Sequence, residues 1–158
     1  MIYELRATEP LTGPLWNALI RTHHITSRKK VAKLKQAASA HAVFVLLRSG
    51  SSPGIMYAQG SRAGVESWVG VVQVRPAQSG ELVAKPDLVK KLRYKDYQLA
   101  SRPAPIKPEN AADAPSGLTH HIGLHETDSV KDFGQQMADR GVHAWWRRGM
   151  GYTSQDSL

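Results

Sequence analysis

The residues with the widest chemical reach are His23 and His24, which open the run Thr22-His23-His24-Ile25-Thr26-Ser27-Arg28-Lys29-Lys30. An imidazole can stack on a base, donate to a phosphate, ligate a metal or move a proton. Three consecutive cations beside two imidazoles select for an anion. No Asp or Glu occurs between Glu9 and Glu66, so no neighbour in sequence neutralises Arg28, Lys29 or Lys30.

A second histidine group, His120, His121 and His125 with Glu126, has two imidazoles four positions apart. Gly123 between them and the proline-rich approach argue against a preformed helical metal site, and no further carboxylate stands by to orient the rings. No metal and no cofactor is expected. Catalytic signatures are equally thin. The chain has no P-loop, no G-x-G-x-x-G and no G-x-S-x-G, and candidate catalytic carboxylates are few: Glu66 on the second helix and Asp96 alone on the fourth strand. No catalytic residue is assigned, and the expectation is a protein that is not an enzyme.

The composition sets the class. With 158 residues, 41% hydrophobic and 22% charged, the chain reads as one globular domain with an appendage. Zero cysteines exclude a disulfide framework and any Cys-ligated metal. Met1 to Pro10 carries Glu4, Arg6 and Glu9 and lacks the apolar core of a signal peptide. Apolar runs such as Ala42 to Leu47 fall far short of the ~20 residues a membrane span needs. A soluble, intracellular protein, nuclear or cytoplasmic, with no membrane partner is expected. The net charge of +8 is unevenly spread: residues 1–108 hold 17 basic and 6 acidic side chains (+11), and residues 109–158 hold 4 and 7 (−3). A basic body with a mildly acidic tail suits an anion-binding domain with an accessory element.

The elements that would position these groups can be read in order. Pro10, Gly13 and Pro14 make residues 1–19 an arm. A strand is expected over Ile20 to Thr26, then a helix over Ser27 to His41 with Val31, Leu34 and Ala38 on one stripe and Lys29, Lys33 and Gln36 opposite. Val43 to Arg48 and Ile55 to Gln59 read as strands around a Ser/Gly/Pro turn. Ser61 opens a helix with Val65, Trp68, Val69 and Val72 at i, i+3, i+4, i+7. Residues 75–87 form a loop insertion, and Arg93 to Ala100 is the fourth strand. Strand, helix, strand, strand, helix, strand gives an α+β fold, a ferredoxin-like βαββαβ sandwich over residues 20–102 with one sheet face left open. Residues 103–117, rich in Pro and Ala, read as a linker. Residues 118–152 read as a helical extension, with one helix capped by Ser129 and another over Val142 to Arg148.

Three stretches carry a resemblance. Thr22-His23-His24-Ile25 with Ser27-Arg28-Lys29-Lys30, the strand Pro53-Gly54-Ile55-Met56-Tyr57-Ala58-Gln59-Gly60, and Leu92-Arg93-Tyr94-Lys95-Asp96 resemble ordered motifs of one family. It is the C-terminal domain family of the spliceosomal pre-mRNA-processing factor three, shared with RWD-domain-containing proteins, where it follows the RWD domain. Val65 to Val72, with Trp68, is similar to that family's second helix, and the likeness spans about residues 20–102. It implies a ferredoxin-like fold and, by the splicing factor, a grip on single-stranded RNA. The RWD proteins imply no such activity. The chain departs from the pattern in its 75–87 insertion and in lacking the RWD domain.

Together these readings make an RNA-binding module, with single-stranded or frayed RNA as the expected partner and splicing as the setting that the resemblance implies. The expected contacts are His24, Arg28, Lys29, Lys30 and Lys33 at the strand-to-helix corner, joined by Lys91, Arg93 and Lys95 from strand four. Tyr57, Tyr94 and Tyr97 are stacking platforms on the same reading, or half-buried core on the plainer one. The plainer alternative for the histidines is one core and one solvated ring, and for the cations a solvated helix face. A second function stands beside the first: a protein-interaction adaptor with Trp145, Trp146 and Arg147 as its partner-binding residues. Those tryptophans could equally dock on their own domain.

Overall fold

Strands β2 (Phe44–Arg48) and β3 (Gly54–Gly60) are buried at every position, so the sheet they share is covered on both faces. A computed structural model of the chain describes residues 14–73, 97–107 and 121–152. Around β2 and β3 are placed β1 (Trp16–Thr22), α1 (Arg28–Ala40), α2 (Arg62–Val72), β4 (Gln98–Pro105), β5 (Gly123–Thr127), α3 (Val130–Asp139) and α4 (His143–Met150). The fold is α+β: among the described residues, a five-stranded mixed sheet in the order β4-β1-β3-β2-β5, with four helices. β1 pairs antiparallel with β3 and β4, and β2 antiparallel with β3, whereas β5 runs parallel to β2.

Strand alternation divides the apolar side chains between two cores. On one face Ile20, Val45, Leu47 and Met56 meet the stripes of α1 and α2, with Val31, Leu34 and Trp68 inside. On the other, Leu19, Phe44, Leu46, Ile55 and Tyr57 meet Phe133 and Met137 of α3 and Trp146 and Met150 of α4. The expected open face is therefore covered by the chain's own C-terminal helices. The residues that seal it, Phe133, Met137, Trp146 and Met150, all lie beyond the 20–102 segment expected to form the fold.

The helix starts follow local chemistry. Ser27, Ser61 and Ser129 each accept a hydrogen bond from the backbone N–H three residues on, at 3.3, 3.0 and 3.0 Å. Gly141 (φ +75°) and Gly151 (φ +82°) follow α3 and α4 in the left-handed region that glycine adopts without strain. At Gly149, α4 comes so close to β1 that an added Cβ would lie 2.7 Å from Leu19 Cδ2. Arg21 Nη1 donates to the Met150 carbonyl (3.2 Å) at the end of α4. Arg48 pins the β2–β3 turn to the segment after β5: Nη1 donates to the carbonyls of Ser51 (3.0 Å) and Pro53 (2.8 Å), and Nε to that of Asp128 (3.1 Å).

Three boundaries differ from the sequence reading. β1 begins at Trp16 and ends at Thr22, so the segment assigned to an arm enters the sheet; its residues 1–13 lie outside the described region. β4 runs to Pro105 although Pro103 and Pro105 suggested a linker. Among the described residues it pairs only with β1, and an edge strand tolerates a missing N–H. β5 stands where the sequence predicts a helical extension, because five residues between a glycine and a helix cap carry too little periodicity to declare a strand. The insertion 75–87 lies outside the described residues.

Candidate nucleic-acid interface

α1 buries Val31, Leu34, Ala37 and Ala38, and this fixes what the other side shows. Lys29, Lys33 and Gln36 are exposed, Lys30 is half-buried, and the first turn contains no acidic residue. Cations in a first turn oppose the helix macrodipole by a few tenths of a kcal/mol each. Fold stability does not account for them. Ile25 turns inward (2% exposed) and anchors the corner, so the cations stand on a fixed base.

His24 needs correction. With β1 ending at Thr22, His23 and His24 lie in the loop that follows, both exposed, their rings edge-to-face at 4.8 Å. His24 is thus beside the basic helix, not on a sheet face. The His23 carbonyl accepts from the Gly54 N–H (3.2 Å), which ties the loop to the start of β3.

Arg28 is not an isolated cation. Its Nη1 and Nη2 donate to Oε1 and Oε2 of Glu126 on β5 at 3.0 and 2.8 Å, and the Ser49 hydroxyl donates to Oε1 at 2.9 Å. The bond from Arg28 holds the Glu126 carboxyl below the usual carboxylate range, although partial burial pushes the other way. The same bond raises the Arg28 guanidinium above its ordinary value. A carboxylate therefore enters a corner that had looked free of them, from 98 residues away. No local pattern could have found it; only the acidic balance of residues 109–158 hinted at it.

The structure brings His24, Arg28, Lys29, Lys30 and Lys33 to one corner. Lys91, Arg93 and Lys95 lie outside the described residues, as does Tyr94. Tyr57 and Tyr97 are 0% and 5% exposed and offer no stacking face. The Tyr57 hydroxyl donates to Gln59 Oε1 (2.7 Å) and accepts from Asn17 Nδ2 (3.4 Å), and burial pushes its pKa up to about 12. This polar cluster on the second face was not foreseen. Beside it the Arg140 guanidinium lies 3.8 Å over the Phe44 ring, a cation–π contact.

The proposed partner-binding tryptophans also need correction. Trp146 is 3% exposed and stacks on Phe133 (5.9 Å, 22°), and Trp145 sets its ring edge-on to Tyr57 at 5.8 Å. α4 lies on the second sheet face, where Trp146 and Met150 are buried and Trp145 is half-buried. Arg147 instead lines a groove of about 700 Å³ between α3 and α4.

Among the described residues no three His, Asp or Glu converge to hold a metal, and no helix is long and apolar enough to cross a membrane. No protein-family model matches the chain, and no curated protein matches it.

Proposed function

We propose that this protein is a non-catalytic RNA-binding module, intracellular, that holds single-stranded RNA by its phosphates against the exposed face of α1. The observation that carries the reading is that α1 presents Lys29, Lys30 and Lys33 with no acid in its first turn, on a base fixed by Ile25. The order β4-β1-β3-β2, with α1 and α2 on one face, supports treating the first four strands as a ferredoxin-like unit extended by β5, α3 and α4. It agrees with the resemblance to the pre-mRNA-processing factor domain, and a splicing role is part of the proposal. The sheet face is no part of it, because α3 and α4 occupy that face. A second reading, an adaptor that recruits a protein through the C-terminal segment, is favoured by the groove between α3 and α4.

Anisotropy of a labelled oligo(U) across a salt series tests the RNA reading. Each phosphate contact to a single strand contributes roughly −0.7 to the slope of log K against log salt. The triple change Lys29→Glu, Lys30→Glu, Lys33→Glu should abolish measurable binding, and Lys33→Ala alone should flatten the slope by about that unit. An unchanged salt-dependent Kd in the triple variant would remove the α1 reading.

A further inference from the structure

Three donor groups converge on one carboxylate where α1 meets β5. Glu126 Oε1 accepts from Arg28 Nη1 (3.0 Å) and the Ser49 hydroxyl (2.9 Å), and Oε2 accepts from Arg28 Nη2 (2.8 Å). Lys35, two turns along α1, adds a second cation whose field reaches the same carboxyl. A guanidinium fork, a hydroxyl and an ammonium are the donors that seat a phosphate by its non-bridging oxygens. The corner has the chemistry of a phosphate seat with a side-chain carboxylate lying in it.

That carboxylate is not needed to hold its own strand. β5 is fixed by its ladder to β2, from Phe44↔Gly123 to Arg48↔Thr127. The Gly123 N–H donates to the Val43 carbonyl (2.8 Å) and the Ser49 N–H to that of Thr127 (3.2 Å), while Leu124 is buried. The fork can therefore open without moving the strand. The Arg28 side chain is largely exposed, and so exposed a pair adds little to stability. Arg28 precedes Lys29 in the same turn of α1, so a strand held by Lys29 and Lys33 passes beside the fork.

We infer that Arg28, Ser49 and Lys35 form a further phosphate subsite for the RNA strand, which Glu126 fills in the free protein as a built-in competitor. A backbone phosphate takes the fork and the hydroxyl, and the Glu126 carboxylate turns out to water. The inference rests on the RNA reading of α1 and adds a contact that binding must first exchange.

The test is a double-mutant cycle on the full chain, read by anisotropy of labelled oligo(U) across a salt series. Glu126→Gln should strengthen binding several-fold and steepen the slope of log K against log salt by roughly 0.7. In the Arg28→Ala background the same change should alter affinity by less than about twofold. A carboxyl-carbon NMR titration reads the exchange in the unmutated protein. The Glu126 signal, assigned by its loss in Glu126→Gln, should move as oligo(U) saturates the chain. An equal gain from Glu126→Gln in both backgrounds would reveal a general field effect and overturn the inference, as would no gain in either. A Glu126 signal that stays still at saturation would overturn it without any variant. A signal that moves equally with inorganic phosphate at matched concentration would assign the seat to a small phosphate ligand and overturn it too. If the triple Lys→Glu variant loses oligo(U) while the cycle shows no coupling, the inference fails alone; if that variant binds like wild type, the α1 reading fails with it.

Discussion

Arg28 and Glu126 face each other as fork and carboxylate, joining the first residue of α1 to β5 by two hydrogen bonds. Their side chains are 69% and 32% exposed, and exposed pairs add little to stability. The bridge matters more as a claim on Arg28, which cannot hold Glu126 and a phosphate with the same two nitrogens.

Glu126→Gln should therefore strengthen oligo(U) binding several-fold while leaving the thermal midpoint nearly unchanged at neutral pH. The Glu126 carboxyl is lowered in the folded state, so its contribution is present above the ordinary glutamate range and lost as pH falls through the lowered value. Urea unfolding at a series of pH values should show a deficit of Glu126→Gln that is small at neutral pH and disappears in acid. Unchanged RNA affinity would mean that Arg28 is no part of the interface.

Tyr57 titrates late. Its folded pKa of about 12 exceeds the ~10 of an unfolded tyrosine. The stability this gives is fully present below pH ~10 and is lost as pH rises through about 12. Ultraviolet titration should show one tyrosinate forming near pH 12, and Tyr57→Phe should remove that phase. The variant also leaves Gln59 Oε1 without its donor, at a cost of about 1–3 kcal/mol in urea unfolding.

Trp146→Ala should cost about 3–5 kcal/mol, as expected for truncating a large buried aromatic. The same change should not behave as a pure binding lesion. A variant with native stability and lost partner affinity would contradict the packing of Trp146 on Phe133.

Arg48 serves three backbone carbonyls from a site only 9% exposed. Lysine brings one nitrogen and no planar fork, so Arg48→Lys should still lose roughly 1–3 kcal/mol. Chemical denaturation with amide exchange at β5 would show it: exchange should quicken after the Asp128 contact is broken.

The sequence carried the fold where periodicity was strong. The Val31–Leu34–Ala38 stripe, the Val65–Trp68–Val69–Val72 stripe and the serine caps are local signals, and they placed α1, α2 and α3 within a few residues. What failed was non-local. β5 is recognisable only through its ladder with β2, and the Arg28–Glu126 pair only through that strand's position. Pro103 and Pro105 misled because proline speaks against a central strand but not an edge. His24 was misplaced by a four-residue slip in the start of β1, since Trp16 to Ile20 alternates too weakly to mark a boundary. Trp145-Trp146 looked like bait for a partner because nothing near it in sequence announced the face it would cover.

That face also dictates an order of assembly. β2 and β5 are parallel neighbours, and the Arg48–Asp128 contact beside them spans 80 residues of chain. Ladders closed over such distances form slowly, and the β1–β4 ladder is equally long-range, whereas β1, α1, β2, β3 and α2 all lie within residues 16–72. Until α3 and α4 dock, a chain assembled over residues 16–72 leaves Phe44, Leu46, Ile55 and Tyr57 facing water. It would be the aggregation-prone species during synthesis. Truncation before residue 121 would trap the chain in it, so a shortened chain reports on misfolding before it reports on any lost partner.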